Sequence, residues 1–81
     1  MQFTYNKSRK KYTMFYPIVD CEHEGDISSA EREVEAAGGE IQSSYWDGRD
    51  CGEAFVVVHS DDLEELKKVR EQLNADITIY I

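Results

Sequence analysis

The two cysteines and one nearby histidine are the side chains of this sequence best suited to chemistry. Cys21 and His23 are separated by one residue, and Cys51 follows much later in the chain. Three interpretations stay open: a metal site completed by Asp50 or Glu53, a disulfide between the cysteines, or two ordinary, partly buried thiols. The paired Cys-x-x-Cys spacing is absent, and intracellular thiols are usually reduced. The sequence favours ordinary thiols and predicts no metal and no cofactor.

A nucleophilic cysteine needs a base within hydrogen-bond reach, and His23 could serve Cys51 in that role. The carboxylates around Cys51 raise the pKa of its thiol, which disfavours the reactive thiolate. The chain also has no glycine-rich phosphate loop and no His-Glu-x-x-His metal motif. We therefore expect a protein that is not an enzyme.

Acidic residues dominate the composition, and they are unevenly placed. The 81 residues include 17 acids and 9 bases, for a net charge of −8. Residues 1–19 carry only basic charges, whereas most of the acids lie within residues 20–53. Such a surface repels phosphate backbones and anionic headgroups, so we expect no direct DNA binding and no membrane binding. No apolar run approaches the roughly 18 to 20 residues of a spanning helix, which predicts a soluble, cytoplasmic protein.

Hydrophobic periodicity divides the chain into six elements that position these groups. Alternating or continuous apolar runs indicate strands, while apolar residues at helical spacing, such as Val34 and Leu66, indicate helices that face a sheet. Ser28 with Glu31 fits a capping box, and Gly38 with the next glycine ends that helix. The predicted elements are a strand at 12–20, a helix at 27–37, strands at 41–46 and 54–59, a helix from the N-cap Ser60 to about Leu73, and a strand at 76–81.

The order βαββαβ is that of the ferredoxin-like fold, an α+β architecture with an antiparallel four-stranded sheet and two helices on one face. It accounts for one domain, residues 1–81. Residues 1–11 form a basic N-terminal segment within it. Residues 2–5 of that segment form either a short extra strand, hairpinned onto the strand at 12–20, or a tail.

This topology brings acidic loops together at one end of the sheet: the exit of the first strand, the hairpin at 47–53 and the start of the last strand. The basic segment Lys7–Lys11 is expected at the opposite end, with His59 and Asp61. Exposed loops are often charged for solubility alone, and acids before a helix also serve its dipole. In the functional interpretation the carboxylates imitate phosphates and Trp46 adds an aromatic anchor. The predicted partner-binding residues are Asp20, Glu22, Glu24, Asp26, Glu31, Glu35, Trp46, Asp47, Asp50, Glu53 and Asp76.

The short length, the fold and the acidic segments Asp20–Asp26 and Asp47–Glu53 together resemble small phage-encoded inhibitors of the anti-CRISPR and anti-restriction kind. The resemblance implies a non-catalytic inhibitor in the cytoplasm of the host cell, a monomer or homodimer. It would cover the basic nucleic-acid-binding groove of a CRISPR-Cas or restriction complex. The basic segment Lys7–Lys11 departs from a pure phosphate mimic and would meet an acidic patch or guide RNA.

An alternative of another class is an ACT-like regulatory domain, in which the same βαββαβ unit dimerises and senses a small molecule. Its distinguishing feature is a glycine-bearing turn between the first strand and the first helix. Gly25 occupies the corresponding place in the sequence. A small structural or assembly protein is a third alternative.

Overall fold

The computed structural model describes residues 2–6 and 8–81, with side chains from Ser8 onward. Neither helix in this part of the chain is long and apolar enough to cross a membrane. The elements are β1 Gln2–Asn6, β2 Tyr12–Pro17, α1 Glu24–Ala36, β3 Glu40–Trp46, β4 Ala54–Ser60, α2 Leu63–Gln72 and β5 Ile79–Tyr80.

The strands form one sheet in the order β1-β3-β4-β2-β5, and every neighbouring pair is antiparallel. Strands β2 to β5 with the two helices make the ferredoxin-like βαββαβ arrangement, which confirms the predicted fold class. The N-terminal strand also forms, as a fifth strand, but its predicted hairpin with β2 is wrong. Because β2 is paired with β4 on one side and β5 on the other, it has no free edge, and β1 pairs with the outer edge of β3 instead.

Several element boundaries differ from their expected positions. The N-cap of α2 is Asp62 and not the predicted Ser60, because the Asp62 side chain accepts the backbone N–H groups of Glu64 and Glu65. Strand β2 ends at Pro17, which has no N–H to donate. Helix α1 begins at Glu24, because the Asp26 side chain accepts the backbone N–H groups of Glu22 and His23 at 2.8 and 3.3 Å. Gly25 therefore lies in the first turn of α1 and not in a preceding turn. Strand β5 has only two residues instead of the predicted six.

The main core lies between the helices and one face of the sheet. Met14, Val34, Val56 and Leu66 are at most 1% exposed and belong to one apolar cluster. Both helices thus face the sheet through the residues that their periodicity indicated. A smaller cluster, made of Cys21, Ile27, Trp46 and Ala54, lies toward the ends of β3 and β2.

Candidate functional site at the acidic end of the sheet

The loop after β2 and the hairpin between β3 and β4 meet at one end of the sheet. The backbone N–H of Cys51 donates to the carbonyl oxygen of Cys21 at 2.8 Å. Asp20 and Cys51 both have left-handed backbones, with φ of 56° and 57°. Cys51 Sγ lies 4.0 Å from Asp20 Oδ1 and 3.7 Å from Asp50 Oδ1, so carboxylates from the two loops are close neighbours.

Five predicted carboxylates remain exposed on these two loops and on the first residue of α1. We call them the acidic end: Asp20, Glu22, Glu24, Asp50 and Glu53. Asp76 is also exposed. It precedes β5, which is antiparallel to β2, so the chain direction places it toward the same end of the sheet.

Two other predicted carboxylates hold the loops in shape. The Arg49 guanidinium forms an ion pair with Asp47 Oδ2 at 2.9 Å, and the backbone N–H of Glu53 donates a hydrogen bond to the same oxygen. The Arg49 side chain and the backbone N–H groups hold the pKa of Asp47 below its ordinary value. The pKa of Asp26 is also lowered, chiefly by the N–H of Glu22. Both carboxylates therefore form hydrogen bonds within the protein and contribute to the shape of the loops.

Two of the residues predicted to contact a partner are buried, and a third lies far from the acidic end. Glu31 is 6% exposed and accepts a 2.6 Å hydrogen bond from Ser44 Oγ, so it faces the sheet and not a partner. Trp46 is 8% exposed and donates through Nε1 to the carbonyl of Arg49, so it is a core residue of the hairpin. Glu35 is exposed but lies roughly 16 Å along α1 from Glu24, toward the other end of the sheet.

The thiols are free, and their environments differ. Cys21 is fully buried, while Cys51 is exposed. Burial of Cys21 and partial desolvation of Cys51 raise the pKa of both thiols, and neighbouring carboxylates raise them further. Within residues 8–81, the group of three potential metal ligands whose ligand atoms all lie within 4.8 Å of one another is Glu22, Asp50 and Cys51, all exposed. The set Cys21, His23 and Cys51 is not brought together, because the Cys21 side chain points into the core.

The opposite end carries a polar network on the segment that leads from β1 to β2. Lys10 Nζ pairs with Glu40 Oε1 at 3.0 Å, and the backbone N–H of Lys10 donates to His59 Nδ1 at 3.1 Å. Because Nδ1 accepts, Nε2 carries the ring proton and donates it to Glu40 Oε2 at 2.6 Å. His59 and Asp61 lie here as predicted, with Lys11 N donating to Asp61. Lys7, also predicted at this end, lies outside the described residues.

Four aromatic rings form a continuous row across the face of the sheet that the helices leave uncovered. Tyr45 stacks on Phe55 with ring centroids 5.1 Å apart, Phe55 meets Phe15 edge-on at 5.5 Å, and Phe15 meets Tyr80 at 5.7 Å. The sequence pattern does not predict this row, because β3, β4, β2 and β5 each contribute one ring to it. Alternation within each strand puts the rings on one face, but only the strand order and register align them.

Comparison with protein-family models, curated proteins and solved structures finds no match to this chain. The functional argument therefore depends on the site itself.

Proposed function

We propose that the protein is a non-catalytic inhibitor whose acidic end occupies the basic nucleic-acid-binding groove of another protein. The observation that carries the proposal is the set of five exposed carboxylates on the first residue of α1 and on the two loops that the backbone hydrogen bond from Cys51 to Cys21 joins. A CRISPR-Cas or restriction nuclease complex in the host cytoplasm is the partner class that we propose.

Rigid support favours this function, because carboxylates that are already in place lose little conformational freedom on binding. Asp26 fixes the loop before α1, and Asp47 fixes the hairpin, each by accepting backbone N–H groups. The acidic end thus presents several negative charges at fixed positions, as a nucleic-acid backbone does. Exposed charges of this kind accelerate association with a basic groove.

The thiols support a binding function over nucleophilic catalysis. Cys51 is the exposed thiol, and partial desolvation together with Asp50 and Asp20 raises its pKa. A raised thiol pKa lowers the thiolate fraction near neutral pH.

The test is a competition experiment in which the protein displaces a fluorescent nucleic acid from a panel of host nuclease complexes. We expect the variant Asp20→Lys, Glu22→Lys, Asp50→Lys to associate more slowly than the wild type, with a difference that shrinks as salt rises. The matched control, Glu35→Lys, Glu64→Lys, Glu71→Lys, changes the net charge equally at exposed helix positions that do not belong to the acidic end. Equal loss of binding in both variants, or no displacement by the wild type, would contradict the proposal.

A further inference from the structure

The helix-free face of the sheet is apolar between its two ends. Val56 and Val58 face the helices, so alternation directs Val57 and the row of Tyr45, Phe55, Phe15 and Tyr80 to the other side. Phe15 is 40% exposed and Tyr80 is 49% exposed. An exposed row of rings on so acidic a protein marks an interaction surface.

Charges of opposite sign border this face at its two ends. At one end the segment before β2 crosses the sheet, where Arg9 Nε donates to Thr13 Oγ1 and the exposed Lys11 follows, with its backbone N–H bonded to Asp61. At the other end lie three carboxylates of the acidic end on the loops that continue β2 and join β3 to β4: Asp20, Asp50 and Glu53. The face therefore has a direction, from basic to acidic along the strands.

We propose that this face binds a second copy of the chain, with the two sheets stacked face to face and their strands antiparallel. The two-fold axis lies in the interface and runs across the strands, so each aromatic row packs on the other. This arrangement places the acidic end of one copy beside Arg9 and Lys11 of the other. The charge pattern thus supplies complementarity at both ends of the interface.

The alternative arrangements satisfy the charges less well. Parallel stacking would place the two acidic ends against each other, with repulsion between six carboxylates, three from each copy. A nucleic-acid strand stacked on the rings would need a positive groove along its backbone. Lys10 is paired with Glu40 and Arg49 with Asp47, and the net charge is −8.

The size of the face indicates a weak dimer. The five strands contain 27 residues, which at about 3.3 Å per residue and a strand spacing of about 4.8 Å give a footprint of about 430 Å² per copy. Standard stable interfaces bury about 800 Å² per partner. We expect a dissociation constant in the micromolar range or weaker.

Sedimentation velocity on the isolated protein, from micromolar to millimolar concentration, tests the proposal without any partner. We expect a monomer–dimer equilibrium for the wild type and at least tenfold weaker association for Phe15→Ser. Val19→Ser is the matched control without a change of charge, because Val19 is an apolar residue that is 79% exposed beyond the end of β2. Circular dichroism establishes that both variants fold. A wild type that is monomeric throughout, or equal effects of the two substitutions, would overturn the proposal.

Charge reversal tests the orientation independently of any aromatic variant. In the antiparallel dimer, Arg9→Glu removes an attraction between opposite ends, so it should weaken association more than Lys68→Glu, which changes the net charge equally at an exposed position on α2. Equal effects of the two reversals would refute the antiparallel arrangement. A monomeric wild type whose Phe15 resonances shift on addition of oligothymidylate would assign the face to nucleic acid. These measurements do not include the proposed target of the inhibitor. A negative result would therefore refute the dimer but not the proposed function of the acidic end, which the competition experiment tests.

Discussion

Asp47 shows how one carboxylate can determine the shape of a loop. Its side chain accepts the backbone N–H groups of Arg49 and Glu53, along with the Arg49 guanidinium. Gly52 lies directly against it, since a Cβ at that position would overlap Asp47 Oδ1. The hairpin therefore depends on an ionised aspartate beside a residue with no side chain.

Asp47→Asn is expected to lower the thermal midpoint at pH 7, because an amide offers fewer acceptor sites to the same donors. The folded-state pKa of Asp47 is lowered, so its contribution is present above the ordinary aspartate pKa of about 3.9 and is lost as pH falls through the lower folded value. Thermal melts from neutral to strongly acidic pH should show the difference from wild type shrinking in that window. Asp50→Asn, in the same hairpin, is the control, and an equal or pH-independent effect would contradict this role for Asp47.

The two thiols should react differently with iodoacetamide. Cys51 is exposed and Cys21 is fully buried, so we expect one alkylated cysteine per folded chain and two in urea. Because the pKa of Cys51 is raised, its rate should still be climbing with pH above the range of an ordinary thiol. Mass spectrometry of the labelled peptides checks both points, and rapid labelling of Cys21 in the folded protein would refute the buried position.

Cysteine-to-serine substitution should change the stability of the protein to different extents at the two positions. Cys21→Ser should cost about 1 to 2 kcal/mol, since it places a more polar group in the cluster with Ile27 and Trp46. Cys51→Ser should stay within about 0.5 kcal/mol because its side chain faces solvent. Urea melts measure both values, and added zinc or chelator should leave the wild-type midpoint unchanged. A large drop with chelator would point to a bound metal.

Helix α2 provides the test of packing between elements. Leu66 is 1% exposed in the main core, whereas the neighbouring Lys67 is exposed. Leu66→Ala should cost about 2 to 5 kcal/mol by leaving a cavity, and Lys67→Ala should change stability by no more than about 0.5 kcal/mol. Equal urea midpoints for the two variants would mean that α2 does not pack on the sheet through this face.

Periodicity alone was enough to predict the helices and central strands, because Val34 and Leu66 recur at helical spacing and β4 is an apolar run. It could not predict where β1 pairs, since that depends on which strand keeps a free edge. The start of α1 was also predicted wrongly. The sequence indicated Ser28, but the Asp26 side chain accepts the backbone N–H groups of Glu22 and His23, and the helix begins at Glu24.

The candidate site was predictable to a similar degree. Strand direction alone brought Asp20 and Asp50 to one end, as the structure shows. Burial of Glu31 and Trp46 was not foreseen, because each satisfies its polar atoms through a partner that only the folded chain supplies, Ser44 and the carbonyl of Arg49.

At the scale of the whole molecule, the acidic end should make stability depend on salt. Exposed like charges repel over about 10 Å at low ionic strength, and added salt screens them. We expect the wild-type thermal midpoint to rise between 10 mM and about 150 mM sodium chloride, and Asp20→Lys, Glu22→Lys, Asp50→Lys to show a smaller rise. The control with lysines at Glu35, Glu64 and Glu71 separates clustering from net charge. Identical salt dependence in all three proteins would contradict clustered repulsion.

The position of β1 also has a consequence for how the chain avoids fibril formation. At one edge of the sheet, β5 is only two residues long, so it offers little backbone for another chain to extend. At the other edge, the five-residue strand β1 pairs with the seven-residue strand β3 and takes its place as the edge. Proteolytic loss of the first eleven residues would keep all the strands of the βαββαβ unit but uncover the backbone donors and acceptors of β3. Such a trimmed chain would offer a longer edge for edge-to-edge growth, so we expect it to aggregate faster than the intact chain.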